Sequence, residues 1–132
     1  MKTLIISCVA LLLIIIFVSF SALYINKTIE KMLGISDSLP ITLDELTDDG
    51  KMTLKDALEK TEKIKQYWES RKFMVRLSVS QLETDHLDMA VVDLESALLS
   101  KDNGKYASAL AILKFELHRL SESEKLSIEA IL

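Results

Sequence analysis

Two stretches of this chain hold the residue types from which sites are built. The first is "ELTDDGKMTLKD", Glu45–Asp56. If Gly50 is the sixth position of a calcium loop, the ligands are Glu45, Thr47, Asp49, the Lys51 carbonyl, Thr53 and Asp56, and Met52 takes the apolar position. Such a loop wants Asp first, strong oxygen donors third and fifth, and a bidentate Glu last. Here a longer Glu opens the loop, Thr stands third and a shorter Asp closes it, and there is no second loop to pair with. The same residues serve better as a turn, Asp48–Asp49–Gly50, followed by Thr53 as a helix N-cap with Asp56 near the positive end of the dipole.

The second stretch is "LETDHLDMA", Leu82–Ala90. Glu83 and His86 form an E-x-x-H pair one helical turn apart. Di-iron bundles use two such pairs and two further carboxylates. His118 cannot supply the second pair, because Phe115 stands three residues before it and the nearest acid, Glu116, only two. His86 falls in register with Val79, Leu82, Met89 and Ala90, which predicts a part-buried histidine bonded to a carboxylate or backbone group across a helix interface. A metal- or pH-sensing role using His86 with Glu83, Asp85 or Asp88 is the alternative functional reading. Tyr67 and Trp68 could line a binding groove, but a lone Trp at core spacing is more often a packing anchor. Trp68, Tyr67 and His86 are therefore the interaction or packing candidates. No serine sits in a nucleophile elbow, and no phosphate loop or dinucleotide fingerprint occurs. The expectation is a protein with no catalytic residue, no cofactor and no enzyme activity.

The elements that carry these residues begin with a membrane helix. Thr3 to Ile25 holds no charge and is mostly Leu, Ile, Val, Phe and Ala. At a rise of about 1.5 Å per residue it spans roughly 34 Å, enough to cross a bilayer with some tilt. Backbone groups in lipid must be satisfied within the segment, so it is read as a helix. Ser19 and Ser21 could precede a signal cleavage, but the apolar run is longer than a typical signal core and its charged head is short. Cys8 is the one cysteine and lies inside this run, so no disulfide framework follows. The bilayer, through residues 3–25, is thus the first expected partner. A short head before a long apolar run resembles a signal anchor, which puts the N-terminus in the cytoplasm and the rest outside. Lys2 against Lys27 and Lys31 leaves the charge rule near a tie.

Helix formers dominate the remainder, which carries one proline and three glycines, Gly34, Gly50 and Gly104. The predicted fold is all-α: an N-terminal transmembrane helix followed by a small helical domain of four to five helices in antiparallel hairpins. Residues 1–33 are the anchor with its juxtamembrane extension, and residues 34–132 the extracytoplasmic domain. Gly34 is expected to end the first helix in a left-handed conformation. Ser36–Leu46 is expected to form a short helix with Pro40 in its first turn. From Thr53 to Ser100 there is no Gly or Pro, and a bend is expected near Glu69–Phe73. Leu54, Ala57, Leu58, Thr61, Ile64 and Trp68 make one apolar face, and Leu77, Leu87, Val91, Leu94 and Leu98 a second. Lys101–Gly104 reads as a turn. Tyr106, Leu110, Leu113, Leu117 and Leu120 then form a seam, and Ser121–Glu124 a capping box for a last short helix.

The chain carries a net charge of −4, which disfavours nucleic acid as a partner. Residues 51–76 hold eight bases and four acids, while 30–50 and 77–104 each hold six acids and one base. The basic segment is expected to pack between the acidic ones. The competing use of Lys60, Lys63, Lys65, Arg71, Lys72 and Arg76 is contact with anionic headgroups.

Several motifs together resemble the family catalogued as domain of unknown function 4363. They are "MKTLIIS" leading into the apolar helix, "YW" at Tyr67–Trp68, "DHLD" at Asp85–Asp88, "ALAILKFELHRL", and the closing "EKLSIEAIL", where Ala130 stands in place of an expected Asn. The resemblance covers nearly the whole chain. It implies a single-pass membrane protein, mostly of Gram-positive bacteria, with a short helical domain. It draws interest to Trp68, Asp85 and His86 and supplies no activity. The expected role is protein–protein interaction at the outer face of the cytoplasmic membrane.

Overall fold

The computed structural model describes residues 1–41, 43 and 53–131. Its helices are α1 (Lys2–Asp37), α2 (Leu54–Arg76), α3 (Gln81–Ser100) and α4 (Asn103–Ile131), and no strand occurs among the described residues. The chain is all-α, a long apolar N-terminal helix running into a small helical domain, as its composition predicts.

α1 is 36 residues long, about 54 Å at the usual rise. It has two regimes. No residue before Ala22 is buried, whereas Ala22, Ile25, Ile29 and Met32 then recur at helical spacing in the core. The buried hydroxyls of this face stay satisfied inside the helix: Thr28 donates to the Tyr24 carbonyl and Ser36 to that of Met32, at 2.9 and 2.8 Å. The boundary expected at residues 33 and 34 therefore lies inside one continuous helix whose last turns belong to the bundle.

Gly34 does not end α1. Its backbone stays right-handed, and a Cβ there would meet nothing within 4 Å, so it is simply an exposed helical position. Ser36 and Asp37 belong to α1 instead of opening a new helix, and the Ser38 and Leu39 N–H groups close the end on the Ile35 and Ser36 carbonyls. Of the remaining stretch to Leu46, residues 42 and 44–46 lie outside the described residues.

α2 starts on a reciprocal cap. Asp56 N–H donates to Thr53 Oγ1 at 3.2 Å and Thr53 N–H donates to Asp56 Oδ2 at 3.1 Å. The helix passes straight through Glu69–Phe73, where a bend was expected, and the chain turns at Leu77–Ser80 instead. Ser80 accepts from the Glu83 N–H at 3.3 Å and starts α3. α3 ends on Lys101, whose φ of 55° is left-handed, and Asp102 then caps α4 by accepting from the Lys105 N–H at 3.1 Å. Gly104, expected in this turn, lies in the first turn of α4. That helix runs on through Ser121–Glu124 to Ile131, so the separate last helix does not form. Leu117 and Leu120 are both buried and carry the seam to the doorstep of Ser121, leaving no change of direction for a cap to serve.

Each helix packs on its two neighbours in a ring: α1 on α2 and α4, α3 on α2 and α4. Connections of four and two residues turn α3 back on α2 and α4 back on α3, and Tyr24 beside Arg71 with Ser38 beside Lys60 sets α2 antiparallel to α1, which gives an up-down-up-down four-helix bundle. Trp68, Ile64, Leu87, Leu94, Leu98, Tyr106, Leu113 and Leu117 fill its centre with Ile25 and Met32. At the end remote from the exposed half of α1, Tyr106 donates to the Pro40 carbonyl, the Leu43 N–H to Asn103 Oδ1, and Lys60 to Ser38 Oγ. The α2–α3 turn lies at the opposite end, beside Phe17–Tyr24.

Candidate functional site

Of the calcium-loop residues, 45–52 lie outside the described residues. Thr53 and Asp56 are described, and both are engaged as a helix cap. The Thr53 backbone N–H, then its hydroxyl, hold the Asp56 carboxyl below the ordinary carboxylate range.

The "DHLD" segment is more informative. Residues 84, 85 and 88 fall on one side of α3, while 86 is about 100° further round the helix from 85. That side meets α2. Asp88 Oδ1 accepts the indole N–H of Trp68 at 2.5 Å, and its Oδ2 lies 3.0 Å from Lys72 Nζ and 3.3 Å from Arg76 Nη2. Arg76 also meets Asp85 at 3.1 Å and donates from Nε to Thr84 Oγ1 at 3.2 Å. One carboxylate thus terminates a Trp–Lys–Arg cluster, and Arg76 draws in a second. Lys65 and Glu95, 3.3 Å apart, continue the pairing toward the remote end. The basic helix packs on its acidic neighbour as its charge predicts. Lys65, Lys72 and Arg76 are drawn into these pairs, and Lys60 is held by Ser38.

His86 departs from expectation. It is exposed and makes no hydrogen bond or ion pair among the described residues. Of the four residues that suggested a buried register, Leu82 and Met89 are exposed with it, while Val79 and Ala90 are buried. The reason is that α3 carries two apolar stripes. The wider one, Leu87, Ala90, Val91, Leu94, Ala97 and Leu98, takes the core, and the other is left outward. Glu83 sits in the first turn of α3. No group of three or more His, Cys, Asp or Glu able to hold a metal ion occurs among the described residues.

Tyr67 and Trp68 part company for the same geometric reason. Trp68 points into the core at 2% exposure. Tyr67 turns toward α1, where its ring lies 4.5 Å from Lys31 Nζ and 5.2 Å from the Arg71 guanidinium. Arg71 also lies over Tyr24 at 5.3 Å and donates to its hydroxyl at 3.3 Å. That hydrogen bond holds the Arg71 pKa above its ordinary value. The two tyrosines and two cations stitch α1 to α2.

What the sequence reading missed is the outward face of the second hairpin. On α3, Met89, Val92 and Leu99 are exposed at spacings that keep them on one side, with Ser96 between them. On α4, Ile112 and Phe115 are exposed one turn apart. An open hollow between the two helices is lined by Asp93, Ser96, Ala97, Ser108, Ala109 and Ile112. The readable signal was the second stripe of α3, apolar on a face that the wider stripe makes redundant for the core.

The chain matches the family described as Domain of unknown function (DUF4363) over residues 20–131. It belongs to that family. The DUF4363 match opens two residues before Ala22, where α1 first enters the core, and takes in all four bundle helices. No curated protein and no solved structure matches the chain.

Proposed function

We propose that this DUF4363 protein is a non-enzymatic, single-pass protein of the cytoplasmic membrane that holds a partner protein against the outward face of α3 and α4. The observation that carries the reading is the exposed apolar set Met89, Val92, Leu99, Ile112 and Phe115 on two adjacent helices. Soluble surfaces seldom leave large apolar residues grouped in this way unless something docks there. Helix faces with anchors at such spacing are a common mode of recognition. His86 lies at one edge of this face, free to meet a partner's carboxylate or carbonyl.

The anchor reading draws support from α1, which has 36 residues and no buried one before Ala22. With the N-terminus in the cytoplasm, the bundle stands outside. A Ser108→Cys variant should then react with a membrane-impermeant thiol reagent on whole cells. Detection of an N-terminus cut near Ser21 by mass spectrometry would overturn the anchor.

Photo-crosslinking in intact cells tests the interaction. A photoreactive residue at Phe115 or Met89 should give a discrete adduct, and the same residue at Lys63, exposed on α2, should not. Monomer alone at all three positions, in every growth condition, would sink the proposal.

A further inference from the structure

The apolar surface continues at the other end of the bundle, and here the observations indicate what covers it. The last turns of α2 and the turn into α3 expose Phe73 (73%), Met74 and Leu77 (56%), with Leu82 just beyond. No charge is contributed by Phe73, Met74 and Leu77, whereas Lys72 and Arg76 of the same turns face α3 and are paired there. Met74 and Leu77 share a hollow of about 190 Å³ with Phe17, Phe20, Ser21 and Tyr24 of α1. The hairpin tip therefore stands level with residues 17–24 of the apolar helix.

The length of that helix places this level. A hydrocarbon core about 30 Å thick takes about 20 residues of helix. Counted from Thr3, it ends near Ala22, where α1 meets the bundle. Phe17 and Phe20 then lie inside the hydrocarbon edge, and Met74 and Leu77 line the same hollow as they do. We infer that the α2–α3 hairpin tip, through Phe73, Met74 and Leu77, is seated in the outer edge of the bilayer as a second lipid contact beside the anchor. This inference rests on the reading that α1 spans the membrane.

The charged groups near the tip set its depth. Arg76 with Asp85 is exposed on the α3 side and must stay in the headgroup layer, so the insertion is shallow. Lys27, exposed on α1 just past the apolar run, lies in the same layer. The occupant is the acyl edge, because Phe73 and Leu77 offer hydrocarbon and no donor to a headgroup. Exposed aromatic and aliphatic side chains flanked by cations suit that boundary.

Fluorescence quenching in the full chain tests the inference. In a Cys8→Ala background, single variants Leu11→Cys, Phe73→Cys and Lys105→Cys are labelled with an environment-sensitive fluorophore. They are reconstituted into phosphatidylcholine vesicles containing phosphatidylglycerol. The label at position 11 should be quenched by nitroxides deep in the acyl chains. The label at 73 should emit further to the blue than that at 105, lose iodide quenching, and be quenched by nitroxides near the headgroups. Lys105, at the remote end of the bundle, should respond to iodide alone. Deep quenching at 11 with full iodide access at 73 would overturn the tip contact and leave the span standing. Iodide access at 11 as well would overturn both.

Discussion

Asp88→Ala tests the polar network that joins α2 to α3. The carboxylate gives Trp68 its acceptor at 2.5 Å and neutralises Lys72 and Arg76 at 3.0 and 3.3 Å. Trp68 is 2% exposed, so no water takes over as acceptor without opening the core. Leaving a buried donor unpaired costs about 1–3 kcal/mol. The two ion pairs are partly open to solvent, so each adds only about 0–1 kcal/mol. The expected loss is thus about 1–5 kcal/mol, a large part of the roughly 5–15 kcal/mol that holds a domain folded. Asp88→Asn keeps an oxygen for the indole and loses only the charge, so it should fall about 1 kcal/mol below wild type. Urea unfolding of the full chain in detergent, followed by helical circular dichroism and by the fluorescence of the single tryptophan, measures all three forms. If Asp88→Ala lies within about 0.5 kcal/mol of wild type, or the Ala and Asn variants coincide, the network does not hold the hairpin.

Lys101→Gly should stabilise by about 0.5–1 kcal/mol, because φ of 55° costs a side-chain-bearing residue more than it costs glycine; thermal unfolding reads the gain, and Lys101→Val should move the midpoint the other way. Leu94→Ala, at the fully buried centre of α3, should cost about 2–5 kcal/mol in urea, and a loss under 1 would mean the core collapses around it. The Asp56 carboxyl is depressed by its Thr53 bonds, so its contribution is present above the unfolded value near 4 and is lost as pH falls through the lower folded value; Asp56→Asn, which does not titrate, should flatten that acid limb of the stability profile. Zinc, calcium or manganese should raise the melting temperature of wild type no more than that of His86→Ala, since Asp85 and Asp88 are already held by Arg76 and Lys72.

The helical class, the apolar first helix and the two best seams were legible because they depend on composition and spacing summed over many residues. All of Tyr106, Leu110, Leu113, Leu117 and Leu120 are buried, as are Ala57, Thr61, Ile64 and Trp68. Boundaries were less legible, because they depend on single residues whose roles the fold decides. Gly34 and Gly104 have the right type for helix ends and sit inside helices, while Lys101 takes the left-handed position. Ser80–Glu83 and Ser121–Glu124 spell the same S-x-x-E word. The first starts a helix because the chain must turn back there to keep α3 on α2, and the second lies inside one because α4 has nothing further to pack. His86 was misplaced by the same kind of ambiguity. α3 offers two apolar faces, and only the volume of the finished core selects between them.

The continuity of α1 has a mechanical consequence. There is no linker between the apolar half and the half that carries Ile25, Ile29 and Met32 into the core. The bundle is therefore mounted on a lever and not tethered by a string. From Ala22 to Asp37 the lever arm is about 22 Å. If the anchor spans a bilayer as proposed, tilting it by the roughly 20° common among membrane helices swings the far end by about 8 Å. The tyrosine–cation stitching to α2 makes the other helices follow. A change in bilayer thickness or lateral tension, by altering that tilt, would re-aim the outward face of α3 and α4 without unfolding any of it.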